Sequence, residues 1–109
     1  MLKCGSKRKL WKIILGKEKY KRYEEEFSTR PVLGRIKCKD GTTLSVQASR
    51  THYCTPKENF GPYTHVEVGY PSSPPPKTWD KYAHDDGGVY AYIPIELVKE
   101  YVELHGGEK

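Results

Sequence analysis

The tripeptide Lys39-Asp40-Gly41 lies between two runs of alternating apolar and polar residues, and it constrains the fold more than any other feature of the chain. Asp-Gly flanked by such runs is a strong local signal for a β-hairpin. A two-residue turn would pair Ile36 with Ser45 and Arg35 with Val46, which mixes apolar and polar side chains on both faces. A three-residue loop with Gly41 in the left-handed conformation pairs Cys38 with Thr42, Ile36 with Leu44 and Gly34 with Val46. That register collects Ile36, Cys38, Leu44, Val46 and Ala48 on one face. Arg35, Lys37, Thr43, Ser45 and Gln47 fall on the other. A slip of one residue would invert every side chain, so the longer loop is the predicted one.

The remaining segments build around this hairpin. Residues 63–70 read as a strand with Thr64, Val66, Val68 and Tyr70 on one face and His65 and Glu67 on the other. Residues 89–93 alternate Val89, Ala91 and Ile93 against Tyr90 and Tyr92. Pro94 suits the first turn of a helix, and Leu97, Val98, Tyr101, Val102 and His105 then form an apolar stripe. Glu96, Lys99, Glu100 and Glu103 point outward, and Gly106 is a natural C-cap. Residues 49–62 read as a loop punctuated by Pro56, Gly61 and Pro62, and residues 71–77 as a polyproline-type connector. Residues 78–88 carry Trp79, Tyr82 and a turn at Asp85-Asp86-Gly87-Gly88.

Residues 6–27 read as helix, with Ser6 as N-cap and two apolar groups at helical spacing: Leu10, Ile13, Ile14 and Tyr20, Tyr23, Phe27. Gly16 leaves open a strand at Trp11–Leu15 followed by a helix from Lys17. Pro31 ends the segment. The 109 residues make one domain's length of chain. The expected fold is α+β: a small antiparallel sheet of three to four strands, a C-terminal helix packed on one face, and an N-terminal helical arm. Residues 1–30 form the basic extension in this reading, and residues 31–109 the α+β body.

Charge divides the chain the same way. Residues 1–23 hold nine Lys and Arg against Glu18 alone, a net of +8, whereas residues 24–109 hold ten against thirteen Asp and Glu, a net of −3. Attraction to polyanions is thereby concentrated on Lys7, Arg8, Lys9, Lys12, Lys17, Lys19, Lys21 and Arg22, and salt should weaken it. Trp11, Tyr20 and Tyr23 interleave with these cations, as stacking residues do in single-strand binders. The same rings fit a core-facing side, and the charges fit a solvated helix. The longest apolar run is Ile13-Ile14-Leu15, too short for a membrane span or a secretory signal. Three cysteines suit a reducing cytoplasm better than a disulfide-stapled domain.

Chemistry-bearing clusters are sparse. His52 and Cys54, with Cys38 and His65, are the conceivable zinc ligands, but their spacing matches no standard ligand pair. Cys38 lies on the predicted core face, where a thiol behaves as a small hydrophobe. Cys54 with a histidine, or His84 with Asp85, imitates a nucleophile–base pair without any surrounding active-site motif. The reading is therefore no metal, no cofactor and no enzyme. Tyr63, Tyr70, Trp79, Tyr82, Tyr90 and Tyr92 outnumber what one small core can bury, and such residues anchor protein interfaces. Some of them could instead close a second layer under the proline loop or the N-terminal helix.

The order Cys-Lys-Asp-Gly-Thr-Thr-Leu-Ser-Val-Gln-Ala-Ser (38–49), Thr-His-Tyr-Cys-Thr-Pro-Lys-Glu-Asn (51–59), Val-Glu-Val-Gly-Tyr-Pro (66–71), Val-Tyr-Ala-Tyr-Ile-Pro (89–94) and Leu-His-Gly-Gly (104–107) is recognisable. It resembles a family of small bacteriophage and mobile-element proteins with no settled function and no catalytic residues to transfer. The resemblance implies a phage protein in the bacterial cytoplasm that binds a host protein. By analogy with anti-CRISPR proteins, that partner would be a defence nuclease, inhibited by occlusion. The alternative is a nucleic-acid-binding protein acting through the basic arm. A membrane partner is not expected, and an oligomer through an unpaired sheet edge is conceivable.

Overall fold

The computed structural model describes residues 9–15, 35–59, 61–84 and 88–109. Five antiparallel strands make one sheet in the order β1-β2-β3-β5-β4, where β1 is Ile36–Lys37, β2 Thr43–Gln47, β3 His65–Gly69, β4 Ala83–His84 and β5 Val89–Pro94. Helix α1 is Lys9–Leu15, and α2 is Ile95–Leu104. A 3-10 helix spans Lys77–Tyr82. The fold is α+β, with one strand more than the sequence suggested. The additional strand, β4, is two residues long and follows the 3-10 helix directly, too short for any alternation to show. Among the described residues no helix is long and apolar enough to cross a membrane.

The hairpin has the predicted register. Ile36 faces Leu44, Lys37 faces Thr43, and the Cys38 N–H donates to the Thr42 carbonyl at 2.7 Å. Gly41 takes φ +95°, as the three-residue loop requires. Ile36, Cys38, Leu44, Val46 and Ala48 are all buried. Gly34 lies outside the described residues. Gln47, placed on the polar face, is nonetheless buried and bonds Ser45 Oγ through Nε2 at 3.1 Å.

The alternation expected in β5 fails, for a local reason. Val66 pairs with Ile93 but Val68 pairs with Tyr90, so β5 carries one extra residue: a β-bulge. The bulge puts Tyr90 on the core face with Ile93, where Tyr90 packs half-buried against the core. Tyr92 takes φ +53° there. Tyr70, expected beside Val66 and Val68 on the apolar face, also takes a positive φ of +50°, which ends the alternation of β3 and turns the ring outward.

Helix α2 buries Val98, Tyr101 and Val102 as predicted, with Leu97 partly buried against the same core. It stops by a Schellman motif: the Gly107 N–H donates to the Val102 carbonyl at 2.8 Å and the Gly106 N–H to the Glu103 carbonyl at 3.0 Å. Residues 107–109 then run beside β1, with the Lys39 N–H donating to the Gly107 carbonyl and the Lys109 N–H to the Lys37 carbonyl. This brings the Glu108 carboxylate onto the first backbone N–H groups of α1, Lys9 at 2.9 Å and Leu10 at 3.2 Å. An anion at that end complements the helix dipole.

Helix α1, within the segment read as the basic extension, packs on the sheet. Leu10, Ile13 and Ile14 are buried in the same core as the sheet, and the Tyr63 N–H donates to the Ile14 carbonyl at 2.7 Å. Residues 9–15 are therefore helix rather than strand, and their apolar side joins the core of the sheet. Ser6 and residues 16–30, including Tyr20, Tyr23 and Phe27, lie outside the described residues, as do Asp85, Asp86 and Gly87.

Candidate interaction surface

Of the six aromatic residues singled out for partner binding, two belong to the interior. Tyr63 and Trp79 are each 1% exposed. Tyr63 donates its hydroxyl to the Glu58 carbonyl at 2.7 Å, and Trp79 packs edge-on to Tyr90 at 5.2 Å and beside Tyr101 at 5.1 Å. The second layer beneath the proline segment accounts for Trp79. The short 3-10 helix drives that ring inward, a placement no sequence period encodes. Tyr82 and Tyr90 are half-buried. Tyr70 and Tyr92 remain, 61% and 41% exposed.

These two tyrosines share a second property. Among the described residues they are the only non-glycine positions with positive φ. Left-handed backbone at a side chain of this size costs about 1–2 kcal/mol, and persists only where the surroundings impose it. At Tyr92 the imposition is visible. Its N–H donates to the Tyr53 carbonyl at 3.1 Å, and the Tyr53 N–H donates to Glu67 Oε1 at 3.0 Å. Residues 49–59 are thus stitched to the bulge of β5 and to the outward side chain of β3. The Tyr53 ring lies 5.7 Å from Tyr92 and 4.8 Å from His84, tilted to both. Lys57 Nζ sits 5.2 Å from the Tyr53 ring centre and donates to the His52 carbonyl at 2.9 Å. Tyr53 was not legible as a site residue, because it lies in a loop whose placement depends on Glu67 and the bulge. At Tyr70, the Arg35 guanidinium donates to the backbone carbonyl and, through Nε, to Thr43 Oγ1 at 3.2 Å.

His52, Cys54 and His65 all have structural partners, whereas Asp85 of the His84–Asp85 pair lies outside the described residues. His52 Nδ1 bonds Ser49 Oγ at 2.6 Å, but Ser49 is fully buried, so this hydroxyl cannot meet a substrate. Cys54, 1% exposed, donates its thiol to the Ser49 and Pro56 carbonyls. His65 Nδ1 bonds the neighbouring Thr64 hydroxyl at 2.8 Å. Among the described residues no three His, Cys, Asp or Glu side chains converge to hold a metal ion. Burial, and then the charges of Asp40 and Glu108, push the Cys38 thiol up, so it stays protonated in the core.

A further cluster joins the hairpin turn to the end of α2. His105 Nδ1 lies 2.7 Å from Asp40 Oδ2 and 3.1 Å from Thr42 Oγ1, and Thr42 Oγ1 lies 2.8 Å from Ser73 Oγ. It resembles a nucleophile–base array only superficially. The hydroxyls sit on the Nδ1 side with the carboxylate, and Nε2 is buried with no hydrogen-bond partner among the described residues. Its role is to clasp the turn. The Thr42 N–H and the His105 ring hold the Asp40 carboxyl below the ordinary carboxylate range. A carboxylate depressed in the folded state contributes stability above its unfolded pKa and loses it as pH falls through the folded value. The stability difference between wild type and Asp40→Asn should therefore be present at pH 7 and shrink as the pH falls below the ordinary carboxylate range of about 4, as read by urea midpoints at each pH. A difference independent of pH would refute the clasp.

Of the eight cations named above as polyanion-binding candidates, Lys9 is exposed and donates from Nζ to the Arg35 carbonyl at 3.2 Å. Lys12 lies on α1, and Lys7, Arg8, Lys17, Lys19, Lys21 and Arg22 lie outside the described residues. No protein-family model, curated protein or solved structure matches this chain.

Proposed function

We propose that this chain is a non-enzymatic binding protein that grips another protein through Tyr92, Tyr53 and His84, with Tyr70 as a separate outward anchor. The coincidence that carries the reading is that, among the described residues, the two most exposed tyrosines are also the two strained ones. Backbone strain concentrates at ligand clamps and binding sites, and tyrosine supplies contact area at little entropic cost. The structural use of His52, Cys54 and His105 supports a binding rather than a catalytic role. The sequence resemblance supports the narrower proposal: a phage-encoded inhibitor that occludes a host defence component such as a CRISPR-associated nuclease. The split charge supports the second reading, nucleic-acid binding through the basic segment.

Glycine is the residue that separates binding from stability here. Tyr92→Gly removes the ring but suits positive φ, so stability should change by no more than about 1 kcal/mol. In cells carrying an active CRISPR-associated nuclease, the wild-type chain should protect a targeted plasmid. Tyr92→Gly combined with Tyr70→Gly should lose that protection while still melting cooperatively, within about 10 °C of wild type. Full protection by the double variant would refute the tyrosine surface. If instead the chain retains a single-stranded oligonucleotide at low salt and releases it at high salt, and loses it when residues 1–8 and 17–22 have their cations replaced, the second reading stands.

A further inference from the structure

The tyrosine surface leaves unused the proline segment that precedes Trp79. Ser73, Pro74 and Pro75 each precede a proline, which disfavours helical backbone, and each proline fixes its own φ. Pro76 has φ −63° and ψ 161°, the polyproline II conformation. Three residues complete a turn of that helix. Pro74 and Lys77 therefore share one ridge, Ser73 and Pro76 a second, and Pro75 lies on the third. Pro74, Pro76 and Lys77 are exposed, while Pro75 is half-buried. The Pro74–Lys77 ridge and the Pro76 ring thus open outward, while Pro75 and the half-buried Ser73, whose hydroxyl lies 2.8 Å from Thr42 Oγ1, turn toward the body.

Both ends of this strut are pinned. The Thr43 N–H donates to Ser72 Oγ and the Ser72 N–H to the Thr43 carbonyl, each at 2.8 Å. Tyr101 donates its hydroxyl to the Ser73 carbonyl at 2.6 Å and accepts the Ser73 N–H at 3.3 Å. At the other end Trp79 is locked in the core, and its N–H donates to the Pro76 carbonyl at 3.0 Å. Folding has already ordered the segment, so a partner would not bear that entropy. Prolines lack the N–H needed to extend a sheet, so the strut offers only rings and carbonyls. That chemistry fits a groove lined by aromatic side chains.

We infer that Pro74-Pro75-Pro76-Lys77 is a docking ligand for a protein with an aromatic-lined, polyproline-reading groove, with Lys77 oriented by a carboxylate at one end of that groove. The test titrates the ¹⁵N-labelled full chain with an SH3 domain whose groove ends in an acidic pocket, followed by NMR. Saturable shifts are expected at the Ser72, Ser73, Lys77 and Thr78 amides, with Tyr92 unmoved. Pro74→Ala combined with Pro76→Ala should weaken binding at least ~10-fold, and Lys77→Glu should weaken it by a similar factor. Unchanged Trp79 indole signals show that the strut's anchor is intact. Should the double alanine variant lose those signals, Lys77→Glu alone decides, because it leaves every proline in place. Absence of shifts at millimolar domain, or equal binding by Lys77→Glu, overturns the inference.

Discussion

Replacing Trp79 with alanine should lower stability by about 3–5 kcal/mol, a large part of what a domain of this size possesses. The ring is 1% exposed and meets Tyr90 and Tyr101, the first from the bulged strand β5 and the second from helix α2. Its loss would open a cavity where three elements converge and would release the anchored end of the proline segment. Trp79→Phe keeps most of the volume and should cost clearly less. Urea unfolding followed by far-ultraviolet circular dichroism reads both. A loss under about 1 kcal/mol for the alanine variant would return Trp79 to the surface, where composition alone had placed it.

The second large effect is expected where α1 meets residues 61–63. Ile13 is fully buried, so Ile13→Ala should cost about 2–4 kcal/mol. Gly61 lies so close to the end of α1 that a Cβ there would stand 2.6 Å from the Leu15 carbonyl oxygen and 2.8 Å from that of Ile14. Those atoms are backbone and cannot rotate away, so Gly61→Ala forces α1 off its seat, at a cost of about 1–3 kcal/mol. The two losses should not add: once Ile13 is truncated, displacing α1 forfeits less, and the double variant should be more stable than the sum implies by about 0.5 kcal/mol or more. A detached N-terminal arm would make both substitutions neutral. Thermal unfolding of the two single variants and the double variant distinguishes these outcomes.

The differences between sequence pattern and structure have specific causes. The stripe Leu10, Ile13, Ile14 is legible in the sequence, but the lysines around it fit a solvated helix equally well. The docking partners of α1, Glu108 at one end and the Tyr63 N–H at the other, come from positions remote in the chain. The alternation of Val89, Ala91 and Ile93 was a sound period-two pattern, yet one inserted residue moved Tyr90 to the core face. Tyr53, central to the proposed surface, sits in a loop with no period to read. The Asp40–His105 clasp joins a turn residue to one that the helical spacing places in the apolar stripe of α2.

Sequence alone determined the elements whose physics is local. The Asp40-Gly41 loop set the hairpin register because any slip would have buried charge. Pro94 and the Gly106-Gly107 pair bounded α2 because one lacks a donor and the others tolerate left-handed backbone. The proline run could only be extended. Tertiary structure decided which aromatic rings are buried and which face outward, and whether the first helix belongs to the body. Those outcomes depend on volumes and hydrogen bonds shared between distant segments, which no window of neighbouring residues contains.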